Sequence, residues 1–386
     1  MKLSDSKIRL MVKLIEPGRI VEMFNRQNIN RFSSLGNKIG ITMGKVFGKI
    51  RQKFGYLACL LALPATVLGV TNAPAPGMVI AKIKAGATAA DIQKEFDLFT
   101  NGCEVVLPPG KFRVNRPIVL QYNYQTLRGS GPTTILILDS NANCPVIIVG
   151  QPVNRPMRTV RHLCVRDLFI DGNRTHEQRE LWHESGEGSE IRNNGITVQN
   201  VSDSSIENVT CTRCRSGGLV TTLGVRRLTV NNFGSFDNEF DGLACYLTTD
   251  SVFSNLYLHN NPGAGISLDL AFDHNVIRSA ILASNDLGIF MRDSRNNKFD
   301  DVSIKHNRDF GIFMAQAFEE ADHDVRPQPD TECANNSFTN LVGVQNGRAH
   351  FRVNDISCTN NVIIGAIFDG SVRALSTPEP DLVTVK

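Results

Sequence analysis

Gly242-Leu243-Ala244-Cys245, Gly265-Ile266-Ser267-Leu268, Gly288-Ile289-Phe290-Met291 and Gly311-Ile312-Phe313-Met314 are four copies of one short pattern, a glycine with apolar residues one and three places after it. Two earlier copies open at Gly195 and Gly218, so the glycines recur at steps of 23, 24, 23, 23 and 23 residues. The alternation describes a strand with one buried face, and self-similarity at a fixed period describes a stacked solenoid. About ten residues beyond the glycine comes a second pattern, asparagine or serine followed by alternating apolar residues, as in Asn275-Val276-Ile277-Arg278 and Asn297-Lys298-Phe299-Asp300. Gly and Asn suit left-handed backbone at corners. Several short strands per repeat, without helical periodicity, predict an all-β chain: a right-handed single-stranded parallel β-helix with coils of about 23 residues.

Upstream, Cys103-Glu104-Val105-Val106-Leu107, Pro108-Pro109-Gly110 and Lys111-Phe112-Arg113-Val114 read as strand, turn and strand at coil spacing. Residues 78–102, which include Ala89-Ala90-Asp91-Ile92-Gln93-Lys94-Glu95-Phe96, predict a short N-terminal capping helix. A solenoid needs such a cap because its first coil otherwise exposes sheet edge and core. The expected organisation is a leader over 1–77, a β-helix domain over 78–370 with clear coils at 195–365, and a C-terminal tail over 371–386.

Charge is uneven. Residues 1–54 hold 12 Lys/Arg against 3 Asp/Glu, which leaves 29 against 35 for residues 55–386. The β-helix region is therefore mildly acidic, and a nucleic-acid groove, which needs clustered basic residues, is not expected. After the basic leader come a 16-residue apolar run, Gly55 to Val70, and small residues from Thr71 to Gly77. This is the pattern of a signal peptide with its start at Met43, or of an uncleaved membrane anchor. Either reading places the domain outside the cytoplasm: secreted, periplasmic or tethered to the outer side of the membrane.

The nine cysteines include Cys211-Thr212-Arg213-Cys214, whose spacing allows metal or redox chemistry. No matching second pair accompanies it, so stacked interior cysteines or a single disulfide are the expectation, and Cys245 falls at an inward position. His259, His274 and His306 fall near coil corners and read as structural.

The passages Pro108-Pro109-Gly110-Lys111-Phe112-Arg113-Val114, Arg166-Asp167-Leu168-Phe169-Ile170-Asp171-Gly172-Asn173-Arg174 and Asp241-Gly242-Leu243-Ala244-Cys245-Tyr246-Leu247-Thr248-Thr249-Asp250-Ser251-Val252-Phe253 resemble the catalytic module of secreted mannuronan C5-epimerases. More broadly, the chain resembles the pectate-lyase superfamily over roughly residues 100–365. The resemblance implies a polysaccharide-active β-helix. The epimerase catalytic motif is not retained: Gly217, Val220, Thr221 and Thr222 stand where that motif has its Tyr and Asp-Pro-His, and Tyr246 stands where its later Asp would.

The repeat itself supplies an alternative constellation. Residues four places after each glycine point outwards in one column: Gln199, Thr222, Tyr246, Asp269, Arg292 and Ala315. Residues two places after form a second column: Thr197, Val220, Ala244, Ser267, Phe290 and Phe313. On a uronic-acid polymer, Arg292 would neutralise a carboxylate, Tyr246 would serve as general acid or base, and Asp269 would orient it or serve as base; the alternative is that Asp269 and Arg292 form an ion pair between rungs and Tyr246 covers the sheet. The catalytic candidates are thus Tyr246, Asp269 and Arg292. The substrate-binding candidates are Phe290, Phe313, Gln199, Thr222 and Trp182, the last in one of two insertions, 173–194 and 316–334, that would wall the groove. The expected partner is an extracellular acidic polysaccharide, acted on by elimination or epimerisation. A non-catalytic polysaccharide-binding relative and a glycoside hydrolase are the alternatives. Hydrolysis needs two carboxyl groups facing one bond, and the column offers one. No metal or other cofactor is expected from a ligand motif, although acidic loops are compatible with calcium.

Overall fold

The computed structural model describes residues 78–177, 193–317 and 332–386. The leader 1–77, Trp182 with residues 178–192, and residues 318–331 lie outside the described residues.

Every strand pairing between named strands is parallel, and partners lie one coil apart, as in Leu243↔Ile266 and Val252↔Val276. One ten-stranded sheet runs from Ile118–Leu120 through Ile147–Val149, Ile196–Gln199, Leu219–Thr222, Leu243–Tyr246, Ala264–Asp269, Leu287–Arg292 and Phe310–Ala315 to Ala349–Val353 and Arg373–Ser376. The remaining strands form a twenty-stranded sheet that closes the coil around the core. The chain is a right-handed parallel β-helix.

The glycines recur for want of space. A Cβ on Gly242 would lie 2.8 Å from the Gly265 carbonyl oxygen and 2.9 Å from Asn261 Nδ2, and one on Gly265 would lie 2.8 Å from Asn285 Nδ2 and 2.9 Å from the Gly288 oxygen. The backbones of Gly242, Gly265 and Gly288 thus nest between the next glycine and a buried asparagine. Contrary to the corner reading, none of these six glycines has positive φ; the left-handed positions fall on the residue before each asparagine, including Asn260, His274, Ser284, Asn296 and His306.

The asparagines themselves form two internal ladders. In one, Asn238, Asn261, Asn285, Asn307 and Asn346 are linked, each side-chain oxygen accepting from the backbone N–H and Nδ2 of the asparagine below. The other runs through Asn275, Asn297, Asn336 and Asn361. These amides satisfy corner backbone groups that turn away from the sheets, and buried polar groups must find such partners. Between the ladders the core is apolar. Phe253, Ile277, Phe299, Phe338 and Ile363 stack in register, and the Phe299 and Phe338 rings lie 4.5 Å apart.

The expected cap is present. The helix Ala89–Leu98 starts on a Thr88–Asp91 capping box and buries Ala89, Ile92 and Phe96. Gln93 exchanges hydrogen bonds with the backbone of Val119, at 2.7 and 3.2 Å, and so covers the open edge of the ten-stranded sheet. At the other end, residues 371–386 do not trail away as a tail. Arg373–Ser376 and Val383–Val385 pair with the preceding coil and extend both sheets, because Leu382 and Val383 still have core to bury.

Candidate functional site

The outward column two places after each glycine is continuous in the sheet register: Thr197↔Val220, Val220↔Ala244, Ala244↔Ser267, Ser267↔Phe290 and Phe290↔Phe313. It then continues to Arg352, which the sequence reading missed because the insertion after Ala315 breaks the 23-residue step. Along this column Thr197, Val220, Ala244 and Ser267 are buried, whereas Phe290, Phe313 and Arg352 are half-buried.

The open part is an aromatic shelf. The Phe290 and Phe313 rings are parallel within 4°, with centroids 5.9 Å apart. Phe310 leans on Phe313 at 5.6 Å. Guanidinium groups lie over two of the rings: Arg292 is 5.5 Å from the Phe290 centroid and Arg348 is 5.6 Å from that of Phe310. Arg352 donates to Ser376 Oγ at 2.8 Å, and burial holds its pKa down, Arg373 adding to the effect while Asp355 opposes it.

The second column brings the three catalytic candidates onto successive rungs. Tyr246 is the register partner of Asp269, and Leu268↔Met291 pairing sets Asp269 beside Arg292. Arg292 Nε donates to Asp269 Oδ2 at 2.9 Å, Arg292 Nη2 donates to the same oxygen, and Asp269 Oδ1 accepts the backbone N–H of Leu270 at 2.9 Å. Asp269 is 3% exposed and Tyr246 is 8% exposed, the tyrosine packing with Val220, Ala244 and Leu270. The pair is therefore a largely desolvated bridge whose carboxylate already has partners on both oxygens.

The other candidates separate from this cluster. Gln199 is fully buried, its amide donating to the carbonyls of Gln151 and Val153, the latter at 2.9 Å, so the 151–159 segment folds over that rung. Thr222 is buried as well. Trp182 lies outside the described residues. His274 and His306 occupy left-handed corners, and His259 stacks on Phe236 at 4.8 Å with Tyr257 tilted against it at 4.5 Å. Cys211, Cys214 and Cys245 are free thiols in the core.

The solved structures that this chain is similar to share its solenoid. ORF18 of Geobacillus virus E2 superposes with a TM-score of 0.60 at 12% identity, covering 77% of this chain and 58% of that one. An alginate lyase from Paenibacillus sp. gives a TM-score of 0.56 at 11% identity, over 78% of this chain and 99% of that one. Pectate lyase Pel9A gives 0.52 at 11% identity, over 80% of each chain. The chain thus spans less than two thirds of the length of the viral protein, and at these identities the likeness establishes the pectate-lyase-like β-helix fold. No curated protein matches the chain.

Residues 167–368 match the family described as periplasmic copper-binding protein (NosD). Copper takes thiolate, thioether or imidazole donors. Among the described residues no three His, Cys, Asp or Glu side chains converge on a point that could hold a metal, and burial pushes the thiols of Cys214 and Cys245 up to about 12, which opposes the thiolate form that metals need. No such group of three among the described residues fits a copper centre. Since the match extends over more than half of the 386 residues, the chain belongs to the NosD family.

Proposed function

We propose that this protein is an extracytoplasmic β-helix protein that holds an acidic polysaccharide on the C-terminal half of its ten-stranded sheet. The observation that carries the reading is the stacked Phe290–Phe313 pair, its rings parallel within 4°, flanked by Arg292 and Arg352. Aromatic faces offer flat apolar area to the C–H face of a sugar ring. Guanidinium groups pair bidentately with carboxylates and tolerate partial burial better than ammonium groups. The rings stand on adjacent coils with centroids 5.9 Å apart, so the shelf presents an extended strip along the solenoid rather than a closed pocket, as a polymer requires. The family description as periplasmic and the basic, then apolar, leader support the location.

A second reading adds chemistry: elimination or C5 epimerisation of a uronic-acid polymer, with Arg292 neutralising the carboxylate and Tyr246 and Asp269 exchanging the proton. The placement of the three on successive rungs favours it. The partners already on both Asp269 oxygens weigh against it, because a general base must be within reach of the substrate proton. Binding is therefore the leading reading.

The test is to mix the full-length protein with alginate and pectate, and to follow binding by affinity electrophoresis, absorbance near 232 nm, and exchange at C5 by proton NMR. Retardation without new absorbance or exchange is expected. New absorbance would establish a lyase, exchange alone an epimerase, and no retardation on any uronan would overturn the acidic-polysaccharide reading.

A further inference from the structure

Cys333 and Cys358 stand one above the other on consecutive coils. The asparagine ladder joins Asn336 to Asn361 at a step of 25 residues, the strands that follow pair Ser337 with Val362 at the same step, and that step carries Cys333 onto Cys358. Two further hydrogen bonds level the coils at this point: Asn335 N–H donates to the Thr359 oxygen at 3.2 Å, and Asn361 Nδ2 donates to the Cys333 oxygen at 3.0 Å. Adjacent coils lie about 4.8 Å apart, within the roughly 4.4–6.8 Å Cα separation that a disulfide spans. Both cysteines are free and buried; interaction with Cys333 holds the Cys358 thiol down, while burial pushes Cys333 well up. Cys211 and Cys214 differ in kind: they sit on one coil on either side of the left-handed corner at Arg213, and burial pushes both thiols up.

We propose that Cys333 and Cys358 are an oxidation site that closes to an inter-coil disulfide by exchange with a small disulfide of the glutathione class. Cys358 is the attacking sulfur. Cys358 itself is buried beneath an exposed turn, in which Ile356 is 63% exposed and the Cys358 N–H donates to the Asp355 oxygen at 3.1 Å, so opening of this turn admits the external disulfide. The Cys358 thiolate attacks one sulfur of the external disulfide, giving a mixed disulfide and releasing one thiol. Cys333, on losing its proton, attacks the Cys358 sulfur and displaces the second thiol. Two protein thiols and one external disulfide become one protein disulfide and two external thiols, so two electrons pass to the oxidant. The bond would tie the coil of Cys333 to the next. The Cys333 sulfur lies 3.4 Å from the carbonyl oxygen of Ala315, which is the register partner of Arg292, so the staple stiffens the floor beside the aromatic shelf.

The test uses the full chain. It is incubated with oxidised glutathione or with dithiothreitol, quenched in acid, alkylated after denaturation, digested and read by mass spectrometry. Of the nine cysteines, two fewer should alkylate after oxidation, and the peptide carrying Cys333 should appear joined to that carrying Cys358. Cys358→Ser should abolish the joined peptide, and Cys211→Ser should leave it unchanged. Retention of all nine reactive thiols, a glutathione adduct on Cys358 without the cross-link, or a cross-link between other cysteines would overturn the proposal.

Discussion

Phe313 and Arg352 are register neighbours in the ten-stranded sheet although an insertion separates them in sequence. Their adjacency joins an aromatic ring to a half-buried guanidinium on the exposed face, and it extends the shelf that begins at Phe290 by one coil.

Removing a ring from the shelf should weaken polymer binding without unfolding the chain, because both rings are half-buried and lie outside the core. Phe290→Ala and Phe313→Ala are each expected to lower affinity for an acidic polysaccharide about tenfold, corresponding to about 1.4 kcal/mol. Affinity electrophoresis on alginate and pectate gels measures this, and unchanged circular dichroism confirms the fold.

Breaking the Asp269–Arg292 bridge on one side should be costly whatever its chemical role. Asp269→Asn leaves a mostly buried guanidinium without its counter-charge, and about 3–5 kcal/mol of stability should be lost. Replacing both partners, by Asp269→Leu with Arg292→Met, should restore most of it. Urea denaturation of the two variants decides whether the bridge is chiefly structural: recovery of stability in the double variant, with polymer retention reduced through Arg292, is the expected combination.

An added methyl at the glycine column should destabilise the coil. In Gly265→Ala the new Cβ meets Asn285 Nδ2 and the Gly288 oxygen below 3.0 Å, and overpacking of this kind costs about 1–3 kcal/mol. Asn285→Ala should cost about as much by the opposite route, since it strips the backbone N–H and Nδ2 of Asn261 of their acceptor. Because the two sites share one contact, the double variant should fall short of the sum.

Stability should also fall on mild acidification. Buried His350 accepts from Asn346 Nδ2 at 2.9 Å and therefore presents Nε2–H to Asp369 at 3.1 Å. Burial depresses its pKa from 6.5 although Asp369 opposes the shift. The unfolded chain then binds more protons than the folded one as pH drops through 6.5, so the contribution is fully present above that pH and is lost below it. His259, lowered chiefly by burial, acts with the same sign. Thermal melts between pH 7.5 and 5.5 should show a decline that His350→Gln reduces and His259→Gln reduces further.

The solenoid, its strand phase, the cap and the outward columns were legible in the chain because the period is carried by residue types with one physical meaning: glycine where the next coil's backbone approaches, apolar residues alternating into a core, asparagine at corners. Local spacing sufficed wherever the step held at 23 or 24 residues. Beyond the lengthened step it still located the coil at His350–Asn354 but did not carry the outward column to Arg352, and it fell short at residues 371–386, where strands with no glycine signal still extend the sheets. Exposure could not be read from phase alone. Gln199 and Phe290 both face outwards, yet the 151–159 segment closes over the first and leaves the second open, because covering depends on a segment distant in sequence. The sequence by itself determined which residues align along the solenoid. The tertiary structure decided which of them meet solvent, that Asp269 and Arg292 satisfy each other, and that Cys333 lies against Cys358, since each of these depends on which coils stack and what folds over them.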